Sequence, residues 1–321
     1  MRPRVLAVVL FGMGACGDST HDPKPLPAMG DSDSSESVEP GELHGPCTVA
    51  ERLGGFVVSV LAPYSYVEGK IASGVVPAAV LDQVQQLGAC TLWQRPSLTC
   101  TPPCNPQSTC NREHSCVPYP LTQNVGHVSV KGLAVPVEME PLPPGNNYFA
   151  TDVPHPLFSA GQPMRLDVAG GSGFAAYSLS ADGVAVLTGL DDSWVMTAGQ
   201  DVPVHWTPPP AGMRSRVALK VNIDQHGTSP MSVSCDFEDS GDAVIPSGLL
   251  DAMLAAGVSG FPSGSLSRYT ADHGEVNAGC VDFMAQNRAD VPVRVSGYVP
   301  CDSPDDCPEG LSCNLPMERC E

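Results

Sequence analysis

The chain has 321 residues, thirteen of them cysteine, and carries a formal net charge of −19. A polyanion of this kind repels phosphate backbones, which argues against nucleic acid as a partner. It also repels anionic lipid headgroups, so that any membrane attachment has to be covalent. Thirteen cysteines are typical of an oxidising compartment, and 32 glycines with 33 prolines predict a turn-rich chain with few long helices.

The first fifteen residues have the pattern of a signal peptide. Two arginines precede an apolar run, VLAVVLFGM, that is too short to span a bilayer. The sequence MGAC that ends at Cys16 resembles the bacterial lipobox, although Met13 stands where Leu is usual. The resemblance implies a lipoprotein signal peptide over residues 1–15, lipidation of Cys16 and attachment to the membrane through that lipid. The alternative is an ordinary secreted protein that is cut near Ala15.

The cysteine count favours the lipobox interpretation. Once Cys16 is lipidated, twelve cysteines remain, which is enough for six disulfides. Residues 16–46 are rich in Asp, Glu, Ser, Pro and Gly and have almost no large apolar residues, so they cannot bury enough surface to fold. We therefore predict a disordered acidic tether over residues 16–46, in a protein held at the bacterial cell envelope, on the outer membrane or the cell surface.

Short stretches of alternating apolar and polar residues dominate the chain from residue 121 to residue 300, as in RVALKVNID and MSVSCDF. Such alternation over about four to eight residues is the pattern of a half-buried strand. No long helices alternate with these strands, which argues against a parallel βαβ sheet. We predict a mainly β fold with an antiparallel, jelly-roll-like β-sandwich over residues 121–300 and with Trp206 in its core.

Two other segments resemble each other. Residues 75–88 (VVPAAVLDQVQQLG) and residues 244–257 (VIPSGLLDAMLAAG) share Val, Pro, Leu, Asp and Gly without gaps. Proline in the first turn, an aspartate near the start and a terminal glycine predict a short helix in each. The first helix belongs to a predicted small α+β domain over residues 47–99. The match is either a partial duplication or chance, and the differing cysteine spacings leave this open.

The remaining cysteines cluster in two predicted modules, residues 100–120 and residues 301–321. Each has almost no apolar core, so cross-links must supply the stability that burial cannot. Zinc is the alternative, but both modules lack Cys-x2-Cys and an exported protein is oxidised. The predicted disulfide cysteines are Cys47, Cys90, Cys100, Cys104, Cys110, Cys116, Cys235, Cys280, Cys301, Cys307, Cys313 and Cys320.

The connectivity of these cysteines is not fixed by their spacing. Our working hypothesis is that each module pairs its first cysteine with its third and its second with its fourth. Cys47–Cys90 would then cross-link the predicted domain over residues 47–99, and Cys235–Cys280 would cross-link the predicted sandwich. From the lipobox to the final ERC, with GGFVV, GVVP, NIDQHG and GVSGFP between, the chain resembles bacterial surface lipoproteins with cysteine-rich modules. This resemblance implies location and architecture, and it implies no activity.

The sequence contains no complete catalytic motif that we recognise. The Asp-Ser-Gly at Asp239 has no second copy of the kind that an aspartic protease needs, so we interpret it as an acidic turn after a strand. No metal or cofactor is predicted. The loop at residues 224–230 groups Asp224, Gln225 and His226 between two strands and is the candidate ligand loop. We predict a non-enzymatic binding or structural role, in contact with protein or glycan. The alternative is a surface hydrolase with an unrecognised site.

Overall fold

The computed structural model describes residues 45–171, 173–224, 231–276 and 279–321. The chain divides into two units, Met1–Gly41 and Glu42–Glu321, and the second contains every described residue. The predicted signal peptide, Cys16 and nearly all of the predicted tether therefore lie outside the described residues, as do Gln225 and His226. Within the described ranges, no helix is both long and apolar enough to cross a membrane.

The described chain forms twenty strands, one α-helix and two 3₁₀ helices. The first ten strands are β1 (Arg52–Val60), β2 (Ser65–Ile71), β3 (Asp82–Leu87), β4 (Cys90–Gln94), β5 (Ser108–Cys110), β6 (Cys116–Pro118), β7 (Val128–Lys131), β8 (Val137–Met139), β9 (Tyr148–Ala150) and β10 (Pro163–Val168). The next six are β11 (Tyr177–Asp182), β12 (Trp194–Met196), β13 (Val202–His205), β14 (Arg216–Asn222), β15 (Met231–Glu238) and β16 (Asp242–Ile245). The last four are β17 (Ser263–Val276), β18 (Gly279–Val295), β19 (Cys313–Asn314) and β20 (Arg319–Cys320). The helices are α1 (Ser247–Ala256) and the 3₁₀ turns Pro77–Ala79 and Pro304–Asp306.

One sheet of ten strands dominates the fold. Nine strands follow the order β3-β4-β15-β14-β17-β18-β1-β2-β9, and β12 pairs with β18 outside this path. A four-stranded sheet has the order β11-β10-β7-β8, and the pairs β13-β16, β5-β6 and β19-β20 complete the structure. Most pairs are antiparallel, but β18 pairs in parallel with β1 and with β12, so that the large sheet is mixed.

Two hydrophobic cores lie on the same face of the large sheet, which we call its inner face. Along β18, Val281 and Phe283 belong to the first core, and Val291 and Val293 belong to the second. Alternate residues of a strand point to the same face. The first core fills the space between β1, β2, β9 and the four-stranded sheet. The second lies between β4, β14, β15 and the β13-β16 pair with α1. This packing of sheets confirms the predicted mainly β sandwich architecture.

Polar side chains separate the two cores on the inner face. Arg268 of β17 is 1% exposed and Asn287 of β18 is 5% exposed. The Asn287 amide donates to the carbonyl of Val60 at 2.8 Å and accepts the N–H of Leu187 at 2.7 Å. Because the amide is bonded on both sides, its burial carries little desolvation penalty.

The separate α+β domain predicted over residues 47–99 is not present. Strand β1 pairs with β18 and β4 pairs with β15, so these residues complete the large sheet. The predicted helix over residues 75–88 is also wrong, because this segment forms the 3₁₀ turn Pro77–Ala79 and the edge strand β3. Lateral pairing with β4 satisfies the β3 backbone, and this tertiary contact overrides the local helical pattern.

The second predicted helix is confirmed as α1, which begins after Pro246 and ends before Gly257. It buries Leu249, Leu250 and Met253 in the second core. The two similar segments therefore have different structures, a strand at residues 82–87 and a helix at residues 247–256. The structure adds no support to the duplication hypothesis.

All twelve predicted cysteines form disulfides, but the two long-range pairs are exchanged relative to our prediction. The bonds are Cys47–Cys280 and Cys90–Cys235, not Cys47–Cys90 and Cys235–Cys280. The sheet explains the exchange. Cys90 and Cys235 are directly opposite each other in β4 and β15, with their Cα atoms 4.0 Å apart. The segment before β1 lies beside the start of β18, where Cys280 is found.

The two modules have the predicted overlapping pairing. The bonds are Cys100–Cys110 with Cys104–Cys116, and Cys301–Cys313 with Cys307–Cys320. Three cysteine sulfurs of each module lie within 4.8 Å of one another because the two disulfides stack closely. A metal would need thiolates, and these sulfurs are already bonded in pairs.

Trp206 is a core residue, as predicted. It is 3% exposed and belongs to the second core together with Val202 and Val204, which share its strand face. The alternation of VPVHW therefore predicts correctly which face of this strand is buried.

Candidate binding surface

The predicted ligand loop begins at a residue that is turned inward. Asp224 is 6% exposed, and its carboxylate accepts a hydrogen bond from the hydroxyl of Ser259. Its N–H also donates to the side chain of Asn222 at 3.0 Å. Asp224 thus ties the end of β14 to the segment after α1. The role of Gln225 and His226 as ligand residues stays a prediction.

The side chain of Asp239, for which the sequence predicted an acidic turn after a strand, is also buried. Asp239 follows β15 directly, and its side chain is 3% exposed. Its two oxygens accept Arg268 Nε at 2.6 Å, Arg268 Nη2 at 2.9 Å and Trp206 Nε1 at 2.7 Å, and a further bond comes from the hydroxyl of Ser215. Four donors saturate this carboxylate, so that it holds the second core together and has no oxygen left for a substrate.

His127 is the centre of a second charged cluster, on the exposed face of the four-stranded sheet. Its Nε2 lies 2.7 Å from a Glu138 oxygen and its Nδ1 lies 2.8 Å from a Glu140 oxygen. Hydrogen bonds to Glu140 and Glu138 raise the pKa of His127 above its ordinary value, because both carboxylates favour the charged ring. Both ring nitrogens are occupied, which leaves no free base at this position.

Asp167 stands in the same exposed cluster. Partial burial opposes its ionisation, but hydrogen bonds from Lys131, Ser178 and Arg165 hold the pKa of Asp167 well below its usual range. The charges of this face are therefore paired among themselves, as in a solvated surface network.

The other face of the large sheet, which we call the outer face, carries neither of the two cores. Its side chains form rows across the strands, because directly paired residues share a face. One row reads Tyr66, Ser59, Gln286, Tyr269 and Arg216 across β2, β1, β18, β17 and β14.

The next row along the outer face is more apolar. It reads Phe149, Glu68, Val57, Met284 and Ala271. Phe149 is half exposed at the sheet edge, and Ala271 is 7% exposed at the sheet centre.

Three aromatic rings form a continuous row at this edge. The centroids of Tyr64 and Tyr66 are 6.1 Å apart with an interplanar angle of 26°, and those of Tyr66 and Phe149 are 6.2 Å apart with an angle of 44°. Tyr64 is 52% exposed and Phe149 is 50% exposed. We call Tyr64, Tyr66 and Phe149 the aromatic row. An exposed cluster of large apolar groups marks an interaction site more often than a scattered one does.

A groove of about 790 Å³ meets the aromatic row at Phe149. Its floor is the outer face of β1 and β2, with Gly55, Val57, Glu68 and Lys70. Loops on either side supply the walls, with Val75, Val76, Leu142 and Asn147 among the residues that line them. This size lies within the range of small-molecule sites, roughly 300–1,000 Å³, and the groove combines apolar walls with a few charged groups.

A buried carboxylate, Asp282, lies beside two residues that line the groove, Gly55 and Arg52. Asp282 is fully buried beside Gly55, where an added Cβ would stand 2.1 Å from Asp282 Oδ1. Arg52 bonds this oxygen through Nε at 3.2 Å and Nη2 at 3.0 Å. Burial raises the pKa of Asp282 above its ordinary value, although Arg52 opposes this. Gly55 is therefore required by the close approach of the carboxylate.

The aromatic row was not predicted from the sequence. The signal was present in YSYVEGK, whose alternation places Tyr64, Tyr66, Glu68 and Lys70 on one strand face. Phe149 is 79 residues or more from this stretch, and only the pairing of β2 with β9 brings it alongside.

Comparisons with known proteins give a structural similarity and no relative. No protein-family model matches the chain, and no curated protein matches it either. Among solved structures, the FN1–FN3 domains of chicken CNTN1 are similar at 10% sequence identity and a TM-score of 0.21. The match covers 72% of this chain and 78% of that chain. A similarity at this TM-score carries no argument about the function of the present chain.

Proposed function

We propose that the protein is a lipid-anchored component of the bacterial cell envelope that binds a ligand on the outer face of its large sheet. The observation that carries the binding role is the aromatic row. Three neighbouring rings, two of them about half exposed, keep apolar surface in contact with water, and a bound ligand would cover it.

The rigidity of the site also supports binding. Tyr66 and Phe149 lie on the paired strands β2 and β9, and the floor of the groove lies on β1. Side chains on strands lose little freedom when a ligand binds, because the backbone is already fixed by the sheet. A rigid site of this kind suits a protein whose role is to bind a ligand and not to catalyse a reaction.

The anchor follows from the N-terminal sequence, and its test is fractionation. We expect the wild-type chain to be recovered with the membranes and the Cys16→Ser variant to be recovered in the soluble fraction. Mass spectrometry of the wild-type N-terminus should find a modified Cys16. A soluble wild-type protein that begins at another residue would remove the anchor from this proposal.

Binding is tested with the full chain, fluorescently labelled, and cell envelopes from the bacterium that encodes it. We expect the variant Tyr66→Ala/Phe149→Ala to bind at least tenfold more weakly, because stacking on each ring contributes about 0.5–1.5 kcal/mol beyond its buried area. The matched control is Tyr119→Ala, since Tyr119 is 45% exposed and is distant in sequence from the row.

Both variants should keep the circular dichroism spectrum and the unfolding curve of the wild type. Equal envelope binding by the folded double variant and the wild type would contradict a role for the outer face.

A further inference from the structure

We infer that the ligand of the outer face is a neutral polysaccharide, whose sugar rings stack on the aromatic row and whose hydroxyls meet the polar groups of the groove. This inference rests on the proposed function and names its ligand class. Three features of the surface support it: the rings, the polar groups beside them and the charge.

The rings suit the faces of sugars. A pyranose ring presents C–H groups on its faces and hydroxyls around its rim, so that an aromatic ring can cover a face while the rim stays hydrated. Tyr66 and Phe149 are tilted by 44° to each other, and Tyr64 extends the row by a further 6.1 Å. Three rings in sequence offer more surface than one sugar covers, which favours a chain of sugars over a monosaccharide.

The polar groups beside the rings suit hydroxyls. Glu68 is directly opposite Phe149 on the neighbouring strand, and Lys70 follows on the same face. Both are exposed, and neither makes an ion pair with another described residue. A carboxylate accepts and an ammonium donates, so the two can bond sugar hydroxyls, which do both. The amide of Gln286 lies one row away, bonded to Ser59 at 2.9 Å.

The charge of the surface selects against polyanions. Glu68 and Lys70 balance each other in the groove, and Arg52 is already paired with Asp282. The chain as a whole carries −19. Acidic glycans would therefore be repelled over a distance of about 8–10 Å at ordinary salt. The described residues that line the groove offer no unpaired cationic cluster to hold them.

The test is affinity electrophoresis of the full chain in native gels that contain one polysaccharide each. The neutral probes are mannan, xylan and hydroxyethylcellulose, and alginate is the anionic probe. We expect retardation by at least one neutral probe and none by alginate. Tyr66→Ala/Phe149→Ala should migrate as in a gel without polysaccharide, and Tyr119→Ala should be retarded like the wild type.

A second arm uses the envelopes themselves. Periodate cleaves the vicinal diols of sugars, and protease digestion removes proteins. We expect envelope binding to fall at least tenfold after periodate and to survive protease. Binding that survives periodate and is lost after protease overturns the polysaccharide and assigns a protein ligand.

Retardation by alginate alone also overturns the inference, as does retardation of the double variant. If the double variant still loses envelope binding in these cases, the proposed function stands and only its ligand class falls.

Discussion

Replacing Arg268 by methionine is expected to lower the free energy of unfolding by about 3–5 kcal/mol. The substitution leaves the Asp239 carboxylate at 3% exposure without its charged partner, and it removes the donor to the carbonyl of Thr207 at 2.6 Å. An unpaired charge in this environment costs far more than the lost methylene packing. Urea unfolding followed by tryptophan fluorescence measures the change, since Trp206 bonds the same carboxylate.

The double variant Arg268→Met/Asp239→Leu separates charge from packing. Removing both charges also removes their desolvation penalty, so the double variant is expected to be more stable than Arg268→Met alone. It stays below the wild type because Trp206 and Ser215 lose their acceptor.

The exposed ion pair of Arg288 with Asp290 provides the control for this experiment. Arg288→Met removes the partner of Asp290 at 45% and 74% exposure, and the expected cost is about 1 kcal/mol or less. Equal effects of Arg268→Met and Arg288→Met would mean that the pair does not hold the second core.

The second large effect is expected at the Cys47–Cys280 disulfide. Its cysteines are 233 positions apart, and the intact Cys90–Cys235 bond spans 145 of these, so the loop released is on the order of 90 residues. In the chain-entropy model, Cys47→Ser/Cys280→Ser then costs roughly 4–5 kcal/mol. Denaturant unfolding under non-reducing conditions measures it, and mass spectrometry of non-reduced peptides checks the pairing itself.

A module disulfide provides the matched comparison. Cys307→Ser/Cys320→Ser opens a pair only 13 positions apart, for which the same model gives roughly 3 kcal/mol, confined to the C-terminal module. The unfolding of the two cores should be unchanged by it. A peptide that links Cys47 to Cys90 would refute the arrangement of β1 beside β18.

The Cys47–Cys280 bond also matters for the proposed anchor. Gly45, which precedes Cys47 by two residues, has its carbonyl 3.0 Å from Nδ1 of His273 on the outer face. Cys47 then joins this segment covalently to the central strand β18. Any pull on the N-terminal segment is therefore carried by a bond and not by strand pairing alone.

Local patterns in the sequence were sufficient to predict the features that depend on residues close together in the chain. The alternation of β14 predicted which of its side chains are buried, and VPVHW placed Trp206 in a core. The close spacing of the module cysteines predicted bonds within each module, because loops of 10 to 13 positions bring only nearby sulfurs together. Pro246 and Gly257 marked the ends of α1 correctly.

Only the tertiary structure decided the features that depend on distant segments. A strand pattern says that a segment will pair and does not say with which partner. The sequence therefore did not reveal that β1 joins β18 and β4 joins β15. From these pairings follow the exchanged disulfides, the loss of the predicted N-terminal domain, and the strand at residues 82–87 in place of a helix. The aromatic row has the same origin, since β2 and β9 bring Tyr66 and Phe149 together across more than eighty residues of chain. Burial of Asp239 was likewise hidden, because its partner Arg268 comes from a strand 29 positions further along the chain.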